Sequence, residues 1–296
     1  DISLILKGID TFAKVSINDI PVCRTENMFV EYAEQINALV HSGQNTLRVR
    51  MRSTKRAMER IDTTGYFGVF NVPRLFVRKA QCHFGWDWAP DLCGYGIWQP
   101  VYVVCRKKHR IESVNYWADP DGDVTIFTEL NYCINATTDD YGVAIDGTAE
   151  QRLDDTLACK VLAPGGSLAA ECTIPVEGRK NFCNLHVGAP QLWWPNGYGA
   201  QPLYRYEVTL YRAGEAVSKT EGTLAFRKVE LVQKPTGAET LGFKLRINDT
   251  DIFVRGSNWV PVDCFTGAIR DEKYERLLML AKNGNCNLLR VWGGGI

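Results

Sequence analysis

The sequence predicts a mainly β protein whose last part is a strand–helix–strand unit. Short apolar runs recur along residues 1–228, and turn residues separate them, as in β-sandwiches. After Gly242 the pattern changes, because a helical period of apolar residues then lies between two apolar runs. The length of 296 residues is enough for about two domains with buried cores.

The first predicted domain, residues 1–107, is a β-sandwich with jelly-roll character. Its strands are predicted near residues 2–6, 12–22, 29–30, 46–51, 75–77 and 101–104. A jelly roll has about eight strands. We therefore expect the first strands to be missing from this chain, which begins with Asp1 rather than methionine.

The second predicted domain, residues 108–228, is an immunoglobulin-like sandwich of roughly seven short strands. Strands are predicted near residues 124–132, 142–145, 171–176, 184–187, 204–211 and 222–227. Trp193 and Trp194 lie in the Pro/Gly-containing stretch 192–199. We interpret this stretch as a rigid turn whose indoles pack between domains, rather than as a ligand contact.

The third predicted domain, residues 229–296, resembles the opening of a (β/α)8 TIM barrel, which takes about 250 residues in full. A hairpin is predicted over residues 243–256. A helix is predicted to begin at Asp271 and to end at Gly284. The apolar run that follows, residues 287–292, predicts a buried parallel strand.

Composition disfavours several classes of partner. Lysine plus arginine and aspartate plus glutamate both number 34, so nothing predicts binding to nucleic acid or to a membrane surface. No apolar run approaches the ~20 residues of a membrane span. The ten cysteines show neither a CxxC pair nor zinc-site spacing, so we expect no metal. We expect mostly buried free thiols in a reducing, cytoplasmic setting.

Residues 78–100 contain three of the eight tryptophans, and Asp87 lies between Trp86 and Trp88. Indole faces beside a carboxylate are typical of a sugar-binding surface, since sugars offer both C–H faces and hydroxyls. The alternative is structural: both indoles alternate on a strand and pack in a core, while Asp87 points to solvent. Pro90 and the glycines after it favour a loop, where binding groups concentrate.

The motifs FGWDWAP and GIWQPV resemble the sugar-binding domain of glycoside hydrolase family 2, in its β-mannosidase branch. Ala89 departs from the family pattern, which has glycine at this position. The resemblance covers all three predicted domains in family order. The matching stretches are residues 8–15, 84–90, 96–101, 192–199, 253–261 and 289–295.

This resemblance implies the N-terminal part of a retaining exo-β-mannosidase that needs no cofactor and releases terminal β-D-mannose from oligosaccharides. In the family, the catalytic acid/base and nucleophile are glutamates on later barrel strands. We therefore expect both beyond Ile296 and expect the chain alone to be inactive, with the remainder of its barrel as a partner. The implied substrate-binding residues are Trp86, Asp87, Trp88, Asn258, Trp259, Arg290 and Trp292.

Several alternatives stay open. Trp259 is alternatively a packing residue, and Arg290 a buried structural cation. The whole chain is alternatively a non-catalytic carbohydrate-binding module pair, or part of a β-galactosidase or β-glucuronidase. The acidic pairs do not converge as a retaining mechanism requires, and we interpret them as solvated. These pairs are residues 139–140, 154–155 and 271–272.

Overall fold

The computed structural model divides the chain into two compact units. The described residues are 1–106, 109–131, 155–237 and 239–295. The first unit comprises residues 1–106, 256–284 and 289–296, and the second comprises residues 107–255 and 285–288. The predicted strand at 142–145 and the acidic residues Asp139, Asp140 and Asp154 lie outside the described residues. The bounds of the three predicted domains remain a prediction.

The first unit contains a sandwich of two antiparallel three-stranded sheets. Its strands are β1 Ile2–Asp10, β2 Phe12–Ile17, β3 Ile20–Thr25, β4 Tyr32–Gln35, β5 Leu47–Arg52 and β6 Gly96–Cys105. The strand orders are β4-β1-β6 and β3-β2-β5. Alternate side chains of β1 and β2, among them Leu4, Leu6 and Val15, meet in one buried core. This unit also holds a short helix, α1 (Thr54–Met58).

Two predicted strands of this unit are wrong. Residues 29–30 lie in a turn before β4. Residues 75–77 overlap a 3₁₀ helix, Pro73–Phe76. Pro73 has no N–H for a β ladder and its fixed φ suits the first turn of a helix. An apolar run of two or three residues is compatible with a strand, a turn or a 3₁₀ helix. The sequence of such a short run therefore does not decide between these structures.

Among its described residues, the second unit contains a sandwich of seven strands in two sheets. They are β7 Arg110–Ala118, β8 Asp123–Asn131, β9 Thr156–Leu162, β10 Leu168–Pro175, β11 Lys180–His186, β12 Tyr204–Arg212 and β13 Glu215–Leu224. The orders are β10-β9-β12-β13 and β11-β8-β7, and both sheets contribute to one core. Four strands facing three is the arrangement of an immunoglobulin-like sandwich. The mainly β prediction is therefore confirmed.

Two expectations about side chains are wrong, one for the cysteines of both units and one for Asp155. Cys172 on β10 and Cys183 on β11 form a disulfide. Seven other described cysteines are free, but only Cys82 and Cys159 of them are buried. Asp155, expected to be solvated, is buried as well.

Three further strands complete the second unit: β14 Val229–Val232, β15 Lys244–Ile247 and β16 Thr250–Ile252. The hairpin of β15 and β16 is present as predicted, with Asn248 and Asp249 at positive φ in its turn. Residues 192–199 form the predicted turn, in which Tyr198 N–H donates to the Pro195 carbonyl at 3.0 Å. Arg227 covers the ring of Trp193 at 4.5 Å.

A strand, a helix and a strand follow: β17 Gly256–Trp259, α2 Asp271–Asn283 and β18 Leu288–Val291. Helix α2 has the predicted ends, and the Gly284 N–H caps it by donating to the Leu280 carbonyl at 2.9 Å. Strands β17 and β18 form a two-stranded sheet. That this unit opens a barrel remains a prediction. Neither of the two described α-helices has the length and apolar character of a membrane span.

A buried ion pair ties β1 to the segment that leads to the tryptophan motif. Lys79 is 1% exposed and pairs with Asp10, which is 6% exposed at the end of β1. Thr11 Oγ1 donates to the same carboxylate. Nδ1 of the buried His83 lies 3.8 Å from Asp10 Oδ2. This cluster fixes residues 79–83 by charge as well as by packing, because a buried ion cannot separate from its partner at low cost.

Met28 holds the same segment on another side. Its N–H donates to the Arg78 carbonyl at 3.0 Å, and its Sδ accepts from the Ala80 N–H at 3.0 Å. Met28, Ala80 and Cys82 are all buried in one apolar cluster with Ala89. The backbone before Trp86 is thus fixed by an ion pair, hydrogen bonds and apolar packing together.

Lys79→Met should lower the free energy of unfolding by about 3–5 kcal/mol, because it leaves the Asp10 carboxylate buried without its cation. Urea unfolding followed by tryptophan fluorescence measures this. The double variant Lys79→Met/Asp10→Leu should recover much of the loss, since it removes both charges. Lys55→Met, which breaks the exposed pair with Asp91, should cost about 1 kcal/mol or less. A double variant as unstable as the single one would contradict this account.

Acidification should destabilise the first unit through His83. Burial and then the Lys79 charge lower the pKa of His83 from 6.5 to about 4, against the opposing effect of Asp10. The unfolded chain therefore binds more protons than the folded chain between these values. The stability that comes from keeping His83 neutral is complete above pH 6.5 and is lost as the pH falls through about 4. The stability difference between the parent chain and His83→Gln should shrink over this interval; a difference independent of pH would refute it.

Candidate functional site

The Trp86-Asp87-Trp88 motif lies in a tight turn and not on a strand. A 3₁₀ turn, Gln81–Phe84, ends at Gly85, whose φ is 88°. Trp86 N–H donates to the Ala89 carbonyl at 2.8 Å, and Ala89 N–H donates back at 3.2 Å. The alternative of two indoles alternating on a strand is wrong. Asp87 lies at the exposed corner, and Ala89 is accommodated without a positive φ.

Three half-buried indoles meet at this turn. Trp292, just after β18, lies with its ring centroid 5.0 Å from that of Trp86 and 5.4 Å from that of Trp88. The interplanar angles are 68° and 85°, so both contacts are edge-to-face. Residues more than 200 positions apart in sequence thus build one aromatic surface around the Asp87 corner.

The indole of Trp86 is also held by the chain before it. Its centroid lies 4.6 Å from that of Phe70, and Arg74 Cζ lies 5.0 Å from it. Arg74 Nη1 in turn donates to Gln81 Oε1 at 2.5 Å. Trp86 therefore has ring or cation neighbours from three segments, and these contacts hold the turn that carries Asp87.

The predicted residues of β17 and β18 form a second group. Arg290 Nη1 donates to Asn258 Oδ1 at 3.3 Å, and both side chains are exposed. In the described residues Arg290 thus bonds to an amide and not to an acid, and the alternative of a structural cation remains a prediction. Trp259 is half-buried, and its carbonyl accepts from the Trp292 N–H at 2.9 Å. This bond connects the Asn258–Arg290 pair to the three indoles through the backbone.

The structure adds residues that sequence reasoning missed. The segment before the turn is held by the buried cluster of Lys79, Asp10 and His83. The ring of Trp86 is contacted by Phe70 and Arg74. A lysine beside an apolar motif gives no sign of burial, because lysine is almost always exposed. Trp98 also has a supporting role, since its Nε1 donates to the Met28 carbonyl at 2.9 Å.

The arrangement suits recognition of a neutral polyhydroxylated ligand. The Asp87 carboxylate accepts hydrogen bonds from hydroxyls, the indoles offer apolar surface, and the Asn258–Arg290 pair adds donors. Among the described residues, no group of three or more His, Cys, Asp or Glu side chains is arranged to hold a metal ion.

Two family profiles match the two sandwiches. One is described as glycosyl hydrolase 2 galactose-binding domain-like and matches residues 1–99. The other is described as glycosyl hydrolases family 2 and matches residues 110–227. Together the two profiles cover most of the chain in consecutive order.

Relatives match over the whole chain. β-Mannosidase B of Emericella nidulans is 30% identical over 100% of this chain, and β-mannosidase of Capra hircus is 31% identical over 100% of it. Each match covers 34% of the relative, so the chain spans about a third of their length.

Solved structures agree. The crystal structure of β-D-mannosidase from Dictyoglomus thermophilum superposes with a TM-score of 0.85 at 31% identity, over 100% of this chain and 35% of that one. A β-glucuronidase from Ruminococcus gnavus shares the fold alone, with a TM-score of 0.59 at 16% identity over 98% of this chain and 43% of that one. The two family profiles, the relatives that match the whole chain and the matching crystal structure agree with the two sandwiches described above. The chain belongs to glycoside hydrolase family 2.

Proposed function

We propose that this chain is the N-terminal third of a retaining exo-β-mannosidase, which removes terminal β-D-mannose from oligosaccharides. The observation that carries the proposal is the Asp87 corner framed by Trp86, Trp88 and Trp292. Support comes from the relatives named β-mannosidase, which match the whole chain at about 30% identity.

In this proposal each residue has a distinct role. Asp87 accepts hydrogen bonds from hydroxyls of the terminal sugar. Trp292 forms an apolar wall of the same subsite, and Trp88 narrows it by edge contact. Arg290, oriented by Asn258, donates to sugar oxygens near that wall. Strands β17 and β18 open the (β/α)8 barrel, at whose C-terminal strand ends such groups collect.

The chemical step needs two carboxylates about 5–5.5 Å apart, one as acid/base and one as nucleophile. We propose that both are glutamates from sequence beyond Ile296. Helix α2 and β18 leave Leu278 and Val291 largely exposed, at 47% and 65%. In the proposed enzyme, the remaining barrel strands and helices cover these side chains.

A first experiment separates this proposal from a non-catalytic carbohydrate-binding module. Aryl β-mannoside, β-galactoside and β-glucuronide are offered to the 296-residue chain and to the complete protein, with intact mass recorded for each. The proposal expects mannoside turnover by the complete protein only. Turnover at the mass of the short chain would place the acids inside it, and preference for another sugar would reassign the activity.

Asp87→Asn in the complete protein should lower kcat/KM for aryl β-mannoside by about 100- to 1,000-fold, because a charged hydrogen bond to the sugar becomes a weak neutral one. Steady-state kinetics measure this. Asp91→Asn is the matched control, since Asp91 is an exposed acid four positions away that pairs with Lys55, and its activity should stay near the parent value. Near-parental kinetics for Asp87→Asn would sink the assignment.

A further inference from the structure

The loop of residues 62–72 exposes a cluster of large apolar side chains. Tyr66, Phe67, Val69 and Phe70 are 59%, 86%, 52% and 52% exposed. Single apolar residues are common on protein surfaces, whereas a contiguous patch marks a site of contact. The side chains of this loop are therefore a candidate contact surface.

Three contacts tie the loop to the segment that carries Asp87. Asn71 Nδ2 donates to the Phe84 carbonyl at 2.5 Å, and Arg74 Nη1 bonds to Gln81. The ring of Phe70 packs on Trp86 at 4.6 Å. Arg74 Nε also donates to the Val69 carbonyl at 2.9 Å. The loop and the Asp87 turn therefore keep a fixed relative position.

Two residues of the loop, Gly68 and Phe70, have unusual backbone constraints. Phe70 has a φ of 68°, a left-handed conformation that is rare for a bulky residue and typical of ligand clamps. A Cβ on Gly68 would lie 2.7 Å from the Asn71 carbonyl oxygen, so only glycine fits there. The ring of Tyr66 packs on Phe76 at 5.0 Å. Phe67 is left as the most exposed ring of the loop.

We infer that loop 62–72 binds the leaving group of the glycoside, with Phe67 and Phe70 as a wall for a flat sugar or aryl ring. The inference rests on the proposed function. An exo-acting enzyme encloses one terminal sugar, so the leaving group extends away from that subsite. Trp86 contacts Trp292 of the subsite and also Phe70 of the loop, which makes the loop the adjoining surface. Apolar rings suit the C–H face of a neutral ring.

The test is Phe67→Ala in the complete protein, with kcat/KM measured for three substrates. β-1,4-Mannobiose and 4-nitrophenyl β-mannoside have a ring as leaving group, and methyl β-mannoside has none. The variant should lose about tenfold on the first two and less than about twofold on the third. Because Phe67 is 86% exposed, the variant should fold normally. Phe67→Tyr should keep the parent values, and so should Phe182→Ala, which removes an exposed ring of the second unit.

Equal losses on all three substrates, or no loss on the two ring-bearing ones, would overturn the inference and leave the proposed function standing. If the parent protein hydrolyses galactosides or glucuronides instead, the proposed sugar is wrong, and the same aryl and methyl pair of that sugar tests the loop. A parent protein inert toward every glycoside would overturn both.

Discussion

The pairing of Lys79 with Asp10 is the constraint on which the candidate site depends. Lys79 is 1% exposed and pairs with the Asp10 carboxylate, which also accepts a hydrogen bond from Thr11 and lies 3.8 Å from the His83 ring. Such a pair adds little net stability over an apolar substitute, but it costs several kcal/mol to break. The main effect of the ion pair is therefore to hold the segment before the tryptophan motif in a fixed position against the end of β1.

From this anchor the site is built outward in layers. Hydrogen bonds to Met28 fix the backbone, Gly85 reverses it, and a two-residue turn presents Asp87 at its corner. The indole of Trp86 is surrounded by Phe70, Arg74 and Trp292. One exposed carboxylate thus stands on a support with little freedom, and such preorganisation is what recognition of a small neutral sugar needs.

The first sandwich gathers like charges on one face although the chain as a whole is neutral. Formal charges balance over the chain, yet the register of the first sandwich places Lys14 opposite both Arg24 and Arg50. Like charges in cross-strand pairs are unfavourable. A basic face therefore exists on a neutral chain, and reasoning from totals alone missed it, because pairing between strands decides which charges become neighbours.

The sequence by itself determined the mainly β class, most strands of both sandwiches, the 248–249 hairpin turn and both ends of α2. These features follow from local periodicity, turn residues and caps, which act within a few positions. It also singled out Asp87 and Trp292. Only the tertiary structure decided that Trp86 and Trp88 lie in a turn, that Arg290 is exposed beside Asn258, and that Lys79 and His83 are buried. Burial and ring contacts of this kind depend on segments that are far apart in sequence and that folding brings together. A local sequence pattern carries no information about which distant segments will meet.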